Sequence, residues 1–203
     1  MSMPTALATA DRFAHDNYVI RQKVFKLFGN AFHVFGPDGR VLLYSKQKAF
    51  KLREDIRMYS GEDMQHEILA IRTTSIIDFS AAYDVVETAS GAKLGTLRRK
   101  GWTSLVKDEW QVLDPYGRVI GTIKEDSTWL AIARRLIEWA SFLAPQAFHC
   151  DINGMPVCTY QQNRNPFVRK LAVDFTPNTQ SLLDRRLGLA AGILLAAIEG
   201  RQG

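Results

Sequence analysis

The chain has 203 residues, of which 46% are hydrophobic and 23% charged, a balance that fits a folded globular protein and excludes a disordered one. Lys and Arg number 26 against 21 Asp and Glu, a formal net charge of +5, and the isoelectric point near 9.3 biases the protein toward anionic partners without choosing phospholipid or nucleic acid. Two cysteines, Cys150 and Cys158, are too few for a disulfide scaffold or a Cys-rich zinc domain, so a reducing compartment is the default.

Residues 1–17 carry neither the basic start nor the apolar run of a signal peptide, and they read as a loose arm on a cytoplasmic protein. The remainder, 18–203, reads as a single domain. From Tyr18 to about Glu125 the chain is dense in short runs of strand type, among them YVIRQKVFKLF from Tyr18, AFHVF from Ala31, RVLLYS from Arg40 and EILAIRT from Glu67. Turn signals separate such runs at Pro37-Asp38-Gly39, Ala89-Ser90-Gly91, Pro115-Tyr116-Gly117 and Ile152-Asn153-Gly154, each offering a Gly where a positive φ is cheap. Four hairpins are expected there. Two of them look like copies: Phe32-His-Val-Phe-Gly-Pro-Asp-Gly-Arg-Val41 aligns without a gap on Trp110-Gln-Val-Leu-Asp-Pro-Tyr-Gly-Arg-Val119, which points to an internal duplication of a β-meander.

An amphipathic helix is expected over 128–138, with Trp129, Ile132, Ala133, Leu136 and Ile137 on one face and Arg134, Arg135 and Glu138 on the other. Packing against the outside of a sheet suits it better than a membrane surface. Strands resume at 147–150, 156–162 and 168–174. The last element opens on the capping signature Ser181-Leu-Leu-Asp184 and then has no polar face from Leu187 to Ile198. A helix apolar all round either spans a membrane or is sealed inside protein. At about 1.5 Å per residue this stretch reaches only about 18 Å, against about 30 Å of bilayer hydrocarbon. Asp184-Arg185-Arg186 and Glu199 block its extension at either end. The Gly188/Gly192 spacing gives the helix one thin side that fits a tight cavity. Two packed layers leave a helix face wet, whereas about a dozen antiparallel strands closed into a barrel surround it completely. The expected fold is therefore mainly β, an antiparallel closed barrel of about a dozen strands around a hydrophobic C-terminal helix, with one further helix outside.

Taken in order, Tyr18-Val-Ile-Arg-Gln-Lys23, Phe50-x-Leu52, Leu97-Arg-Arg-Lys100, Trp110-x-Val112 before Pro115-Tyr-Gly117, and Asp184-Arg-Arg-Leu187 resemble the LURP-one-related family. That family belongs to the tubby C-terminal-like superfamily, alongside the phospholipid scramblases. The resemblance covers nearly all of Tyr18 to Ile198 and implies a 12-stranded antiparallel closed β-barrel around the C-terminal helix, in agreement with that reading. It also implies phosphoinositide or other anionic phospholipid headgroups as partners, since tubby domains bind these through basic residues. A scramblase-like activity, which in that family uses a calcium segment before the last helix, is the alternative it raises. Here the corresponding stretch from Asp174 to Asp184 has carboxylates only at its ends, few for a cation that takes about six to eight oxygens.

The four histidines, His15, His33, His66 and His149, form no i, i+4 pair, and there is no nucleophile elbow, P-loop or dinucleotide fingerprint. No catalytic residue, metal or cofactor is therefore expected. Cys150 and Cys158 flank the Asn153-Gly154 turn and are expected as a reduced core pair. Basic residues are the one positive signal: Arg98-Arg99-Lys100 ends a strand, and Arg185-Arg186 sits in the first turn of the last helix, where cations oppose the macrodipole and an anion would offset them. These five are the candidate sites for anionic lipid. Nucleic acid is disfavoured because the aromatics fall within the strand alternation, although a regulatory protein with nucleic-acid or protein partners remains a further alternative. Attachment would be peripheral, at the inner face of a membrane, rather than transmembrane.

Overall fold

The computed structural model describes residues 11–25, 29–47, 55–77, 80–100, 109–126, 146–163 and 169–198. Twelve strands follow in chain order: β1 (Asn17–Phe25), β2 (Gly29–Phe35), β3 (Val41–Gln47), β4 (Ile56–Tyr59), β5 (Glu67–Ile77), β6 (Ser80–Glu87), β7 (Lys93–Arg99), β8 (Glu109–Leu113), β9 (Val119–Glu125), β10 (Ala147–Ile152), β11 (Met155–Asn163) and β12 (Arg169–Asp174). Each pairs antiparallel with its neighbours in sequence, and β1 closes on β12, so the barrel is a plain up-and-down meander with no free edge. A single helix, α1 (Arg185–Ile198), follows the last strand. The helix expected over 128–138 lies outside the described residues.

Strand alternation is what makes the barrel. β10 shows it residue by residue, with Phe148, Cys150 and Ile152 buried between half-buried neighbours. Residues of all twelve strands join α1 in one buried core, and every helix residue from Leu187 to Ile198 is buried. The four expected hairpin turns are all formed, with Gly39, Gly91, Gly117 and Gly154 at φ of 76°, 69°, 87° and 78°. All four lie at the barrel end where α1 enters, together with the 60–66 connection and the segment from Phe175 to Asp184.

The hairpin repeat seen in the sequence extends through the whole barrel. In β2–β3, Val34 faces Leu43 and the register then slips, so that Phe35 faces Val41; in β8–β9, Val112 faces Gly121 and the same slip pairs Leu113 with Val119. The turns repeat bond for bond. Gly36 N–H donates to the Arg40 carbonyl at 3.0 Å and Asp114 N–H to the Arg118 carbonyl at 2.9 Å, while Gly39 and Gly117 each donate back at 3.0 Å. A second slip, between Met58 and Tyr59 on β4, recurs between Cys150 and Asp151 on β10. Val85 faces Gly95 just as Val173 faces Tyr18. Strands β7–β12 thus repeat β1–β6 around the barrel axis.

The helix entry differs from its expected form. α1 is capped by Asp184 and not by Ser181: the Asp184 carboxylate accepts the Arg186 N–H at 2.9 Å, and its carbonyl accepts the first helical bond, from Gly188, at 3.0 Å. Asn178 decides this. Its buried side chain accepts the Leu183 N–H at 3.2 Å and donates to the Leu183 carbonyl at 2.7 Å, which fixes the preceding loop and leaves Ser181 at a φ of 53°. The N-terminal arm is described from residue 11 onward, and there it is docked. Arg12 donates to the Leu42 and Ser60 carbonyls at 2.5 and 2.9 Å, Phe13 packs on the core, and Phe175 N–H bonds the Asp16 carbonyl at 2.7 Å.

Candidate functional site

The two basic clusters singled out in the sequence lie at opposite ends of the barrel. β7 runs from Lys93, beside the helix entry, to Arg99 at the far rim, a path of about 20 Å at the usual strand rise. Arg185 and Arg186 stay at the entry. The clusters therefore cannot act on one surface together.

Arg185 and Arg186 are neutralised from within. Arg185 pairs with Asp16 at 2.5 Å. Arg186 holds Asp184 at 2.5 Å through Nη2 and reaches Glu87 on β6 at 2.5 Å through Nη1. Its pKa is raised, first by the hydrogen bond to Asp184, against the opposing effect of burial. The N-terminal cations of α1 are thus offset by carboxylates of the same chain, with Asp184 also serving as cap. The other described cations of this end are engaged as well. Arg40 pairs with Asp38, Lys93 with Asp84 at 2.9 Å, Arg118 with Asp114 at 2.6 Å, and Arg12 with two carbonyls.

The strand-end cluster is split by the pleat. Arg98 and Lys100 are exposed on the outer wall, whereas Arg99 follows Leu97 on the inward row, opposite Trp110. Arg99 lies close enough to Tyr83 to oppose the rise of its phenol pKa, which burial drives to about 12. Of the three, Arg98 and Lys100 can meet an external anion and Arg99 lines the barrel mouth. Lys100 is shared with Glu109 at 2.9 Å, while Arg98 has no ion-pair partner among the described residues. The β1 segment matching it in the repeat, Arg21-Gln22-Lys23, has the same outward, inward, outward arrangement, with Gln22 buried and Lys23 exposed. Neither Arg21 nor Lys23 has an ion-pair partner among the described residues. Sequence reading took these two as part of a motif and missed them as a site. The signal available was the shared pattern of Ile20-Arg-x-Lys23 and Leu97-Arg-x-Lys100, whose equivalence only the strand register establishes.

Other chemistry is sparse. Among the described residues no group of three His, Cys, Asp or Glu side chains is arranged to hold a metal ion. The carboxylates bounding the 174–184 segment are already engaged: Asp174 accepts from Thr176 N–H at 2.7 Å and from its hydroxyl at 2.5 Å, and Asp184 holds Arg186. Millimolar calcium is accordingly expected to leave the melting temperature unchanged in a thermal-shift assay, because a ligand selective for the native state stabilises it by mass action. A rise of several degrees would restore a calcium site here. Cys150 and Cys158 face one another directly across β10 and β11 as free, fully buried thiols. Burial raises both their pKa values, that of Cys158 to about 12, so neither is an activated nucleophile. Among the described residues no helix is long and apolar enough to cross a membrane.

Comparison with known proteins bears on the fold alone. No protein-family model and no curated protein matches the chain. Among solved structures, the X-ray structure of a protein from Arabidopsis thaliana is similar at a TM-score of 0.51, with 13% sequence identity, over 93% of this chain and 95% of that one.

Proposed function

We propose that this protein is a tubby-like barrel of the LURP-one-related kind that attaches peripherally to anionic phospholipid through the barrel end remote from the helix entry. One observation supports the reading above the rest: among the described residues, cations without carboxylate partners gather at that end, Arg21, Lys23 and Arg98 among them, while those of the entry end are ion-paired or, for Arg12, bonded to two carbonyls. An ion-paired arginine presents little net field to a membrane. An unpaired, exposed one contributes about 1 kcal/mol near an anionic surface, screened over about 8 Å at physiological salt.

The protein is expected to co-sediment with phosphatidylserine-rich vesicles at low salt and to dissociate as salt is raised. Arg98→Glu with Lys100→Glu weakens this binding. Arg185→Gln with Arg186→Gln lowers the melting temperature, since it strands Asp16 and Glu87, but leaves binding by the folded protein unchanged. The reading fails if the unmodified protein does not sediment with such vesicles, or if the helix-entry pair alone governs binding.

A further inference from the structure

The repeat places outer-wall cations of the remote end in two equivalent sets. On the outer wall near the remote rim, Arg21 and Lys23 of β1 stand two residues apart on one face, and Lys46 of β3 lies in the row of Lys23, with Ala31 of β2 between them. In the second half, Arg98 and Lys100 of β7 take the places of Arg21 and Lys23, and Lys124 of β9 takes that of Lys46. Glu109 of β8 stands where Ala31 does. With strands about 4.8 Å apart and same-face residues about 7 Å apart, each Arg, Lys, Lys set is spaced to close on one phosphate group.

The sets differ in charge. Ala31, itself buried, brings no carboxylate to the first, and Lys170 of β12 lies directly opposite Arg21, adding a fourth cation where like charges side by side are unfavourable without an anion. His33, which pairs across the strands with Arg21, holds the Glu62 carboxylate on its Nε2 at 2.7 Å. Arg21, Lys23, Lys46 and Lys170 have no ion-pair partner among the described residues. In the second set Glu109 takes Lys100 at 2.9 Å.

We propose that the outer wall of β1–β3, formed by Arg21, Lys23 and Lys46 with Lys170 beside them, is the principal site for the phosphate of a membrane phospholipid. Its repeat-related counterpart, Arg98, Lys100 and Lys124, is a copy weakened by Glu109. This rests on the membrane reading above and deepens it, moving the main contact from the strand end found in the sequence to one that was not.

The test is sedimentation with vesicles of phosphatidylcholine containing phosphatidylserine, at fixed low ionic strength, with thermal melts to verify folding. At about fivefold per cation, the triple variant Arg21→Gln, Lys23→Gln, Lys46→Gln is expected to weaken partitioning about a hundredfold. The variant Lys23→Gln with Lys46→Gln, both at exposed positions, is expected to weaken it about 25-fold if the triple variant does not fold. Arg98→Gln, Lys100→Gln, Lys124→Gln loses less than the first triple. Glu109→Gln strengthens binding by about fivefold, because it frees Lys100. Inorganic phosphate at matched ionic strength does not displace the protein from vesicles. The proposal is overturned if both β1–β3 variants bind as the unmodified protein does while the β7–β9 triple abolishes binding, or if inorganic phosphate at matched ionic strength displaces the protein. Absence of vesicle binding by the unmodified protein overturns the membrane reading itself and this site with it.

Discussion

Leu194→Asp is expected to leave no folded protein. Leu194 is fully buried at the middle of α1, in a helix surrounded on all sides by the inward rows of the barrel. No described cation is bonded near it, so the new carboxylate either ionises without a partner or takes up a proton, and both cost several kcal/mol against a total stability of about 5 to 15. The barrel cannot relieve this by turning the helix, since every other face is equally apolar. The expected result is an insoluble product, or a soluble one without a cooperative melt, whereas the volume-conserving Leu194→Met loses less than about 1.5 kcal/mol. A soluble Leu194→Asp protein melting where the parent does would show that α1 does not fill the barrel in solution.

The thin side of the helix gives the second large effect. A Cβ added at Gly188 would lie 2.4 Å from Phe175 Cε1 and 2.7 Å from its Cζ, and one added at Gly192 would lie 2.7 Å from Ile20 Cδ1. Helix propensity alone favours Ala over Gly by about 1 kcal/mol. Crowding a packed core works the other way, by about 1 to 3 kcal/mol, and the rigid Phe175 ring and the Tyr160 hydroxyl bonded to the Gly188 carbonyl at 3.0 Å leave little room for the helix to shift. Crowding is therefore expected to win. Gly188→Ala lowers the melting temperature by several degrees and Gly188→Val by considerably more. In a double-mutant cycle, Gly188→Ala combined with Phe175→Leu is more stable than the two single losses added together, since the smaller side chain vacates the space the methyl needs. Simple additivity, or a Gly188→Ala protein more stable than the parent, would mean the contact is not tight.

Much of this was legible in the linear sequence. The Gly-containing turns and the period-two runs between them depend on residues within a few positions of one another, so the turns at Gly39, Gly91, Gly117 and Gly154 follow from local residue order. The helix cap was not so legible. Ser181 satisfies the local signature, but the buried Asn178 amide fixes Leu183 and moves the first turn to Asp184.

The site divides along the same line. That cations cluster after Leu97 and after Asp184, and that a helix with no polar face needs a closed barrel around it, follows from residue order, because charge, periodicity and length are properties of the linear chain. Which cations remain available depends on the folded arrangement. Asp16 and Glu87, far from α1 in sequence, neutralise Arg185 and Arg186, and the pleat turns Arg99 inward between Arg98 and Lys100. The register across β1, β2 and β3 puts Lys46 in the row of Lys23. Electrostatic availability depends on through-space neighbours, and in a meander those neighbours are set by strand pairing, which no local pattern of residues encodes.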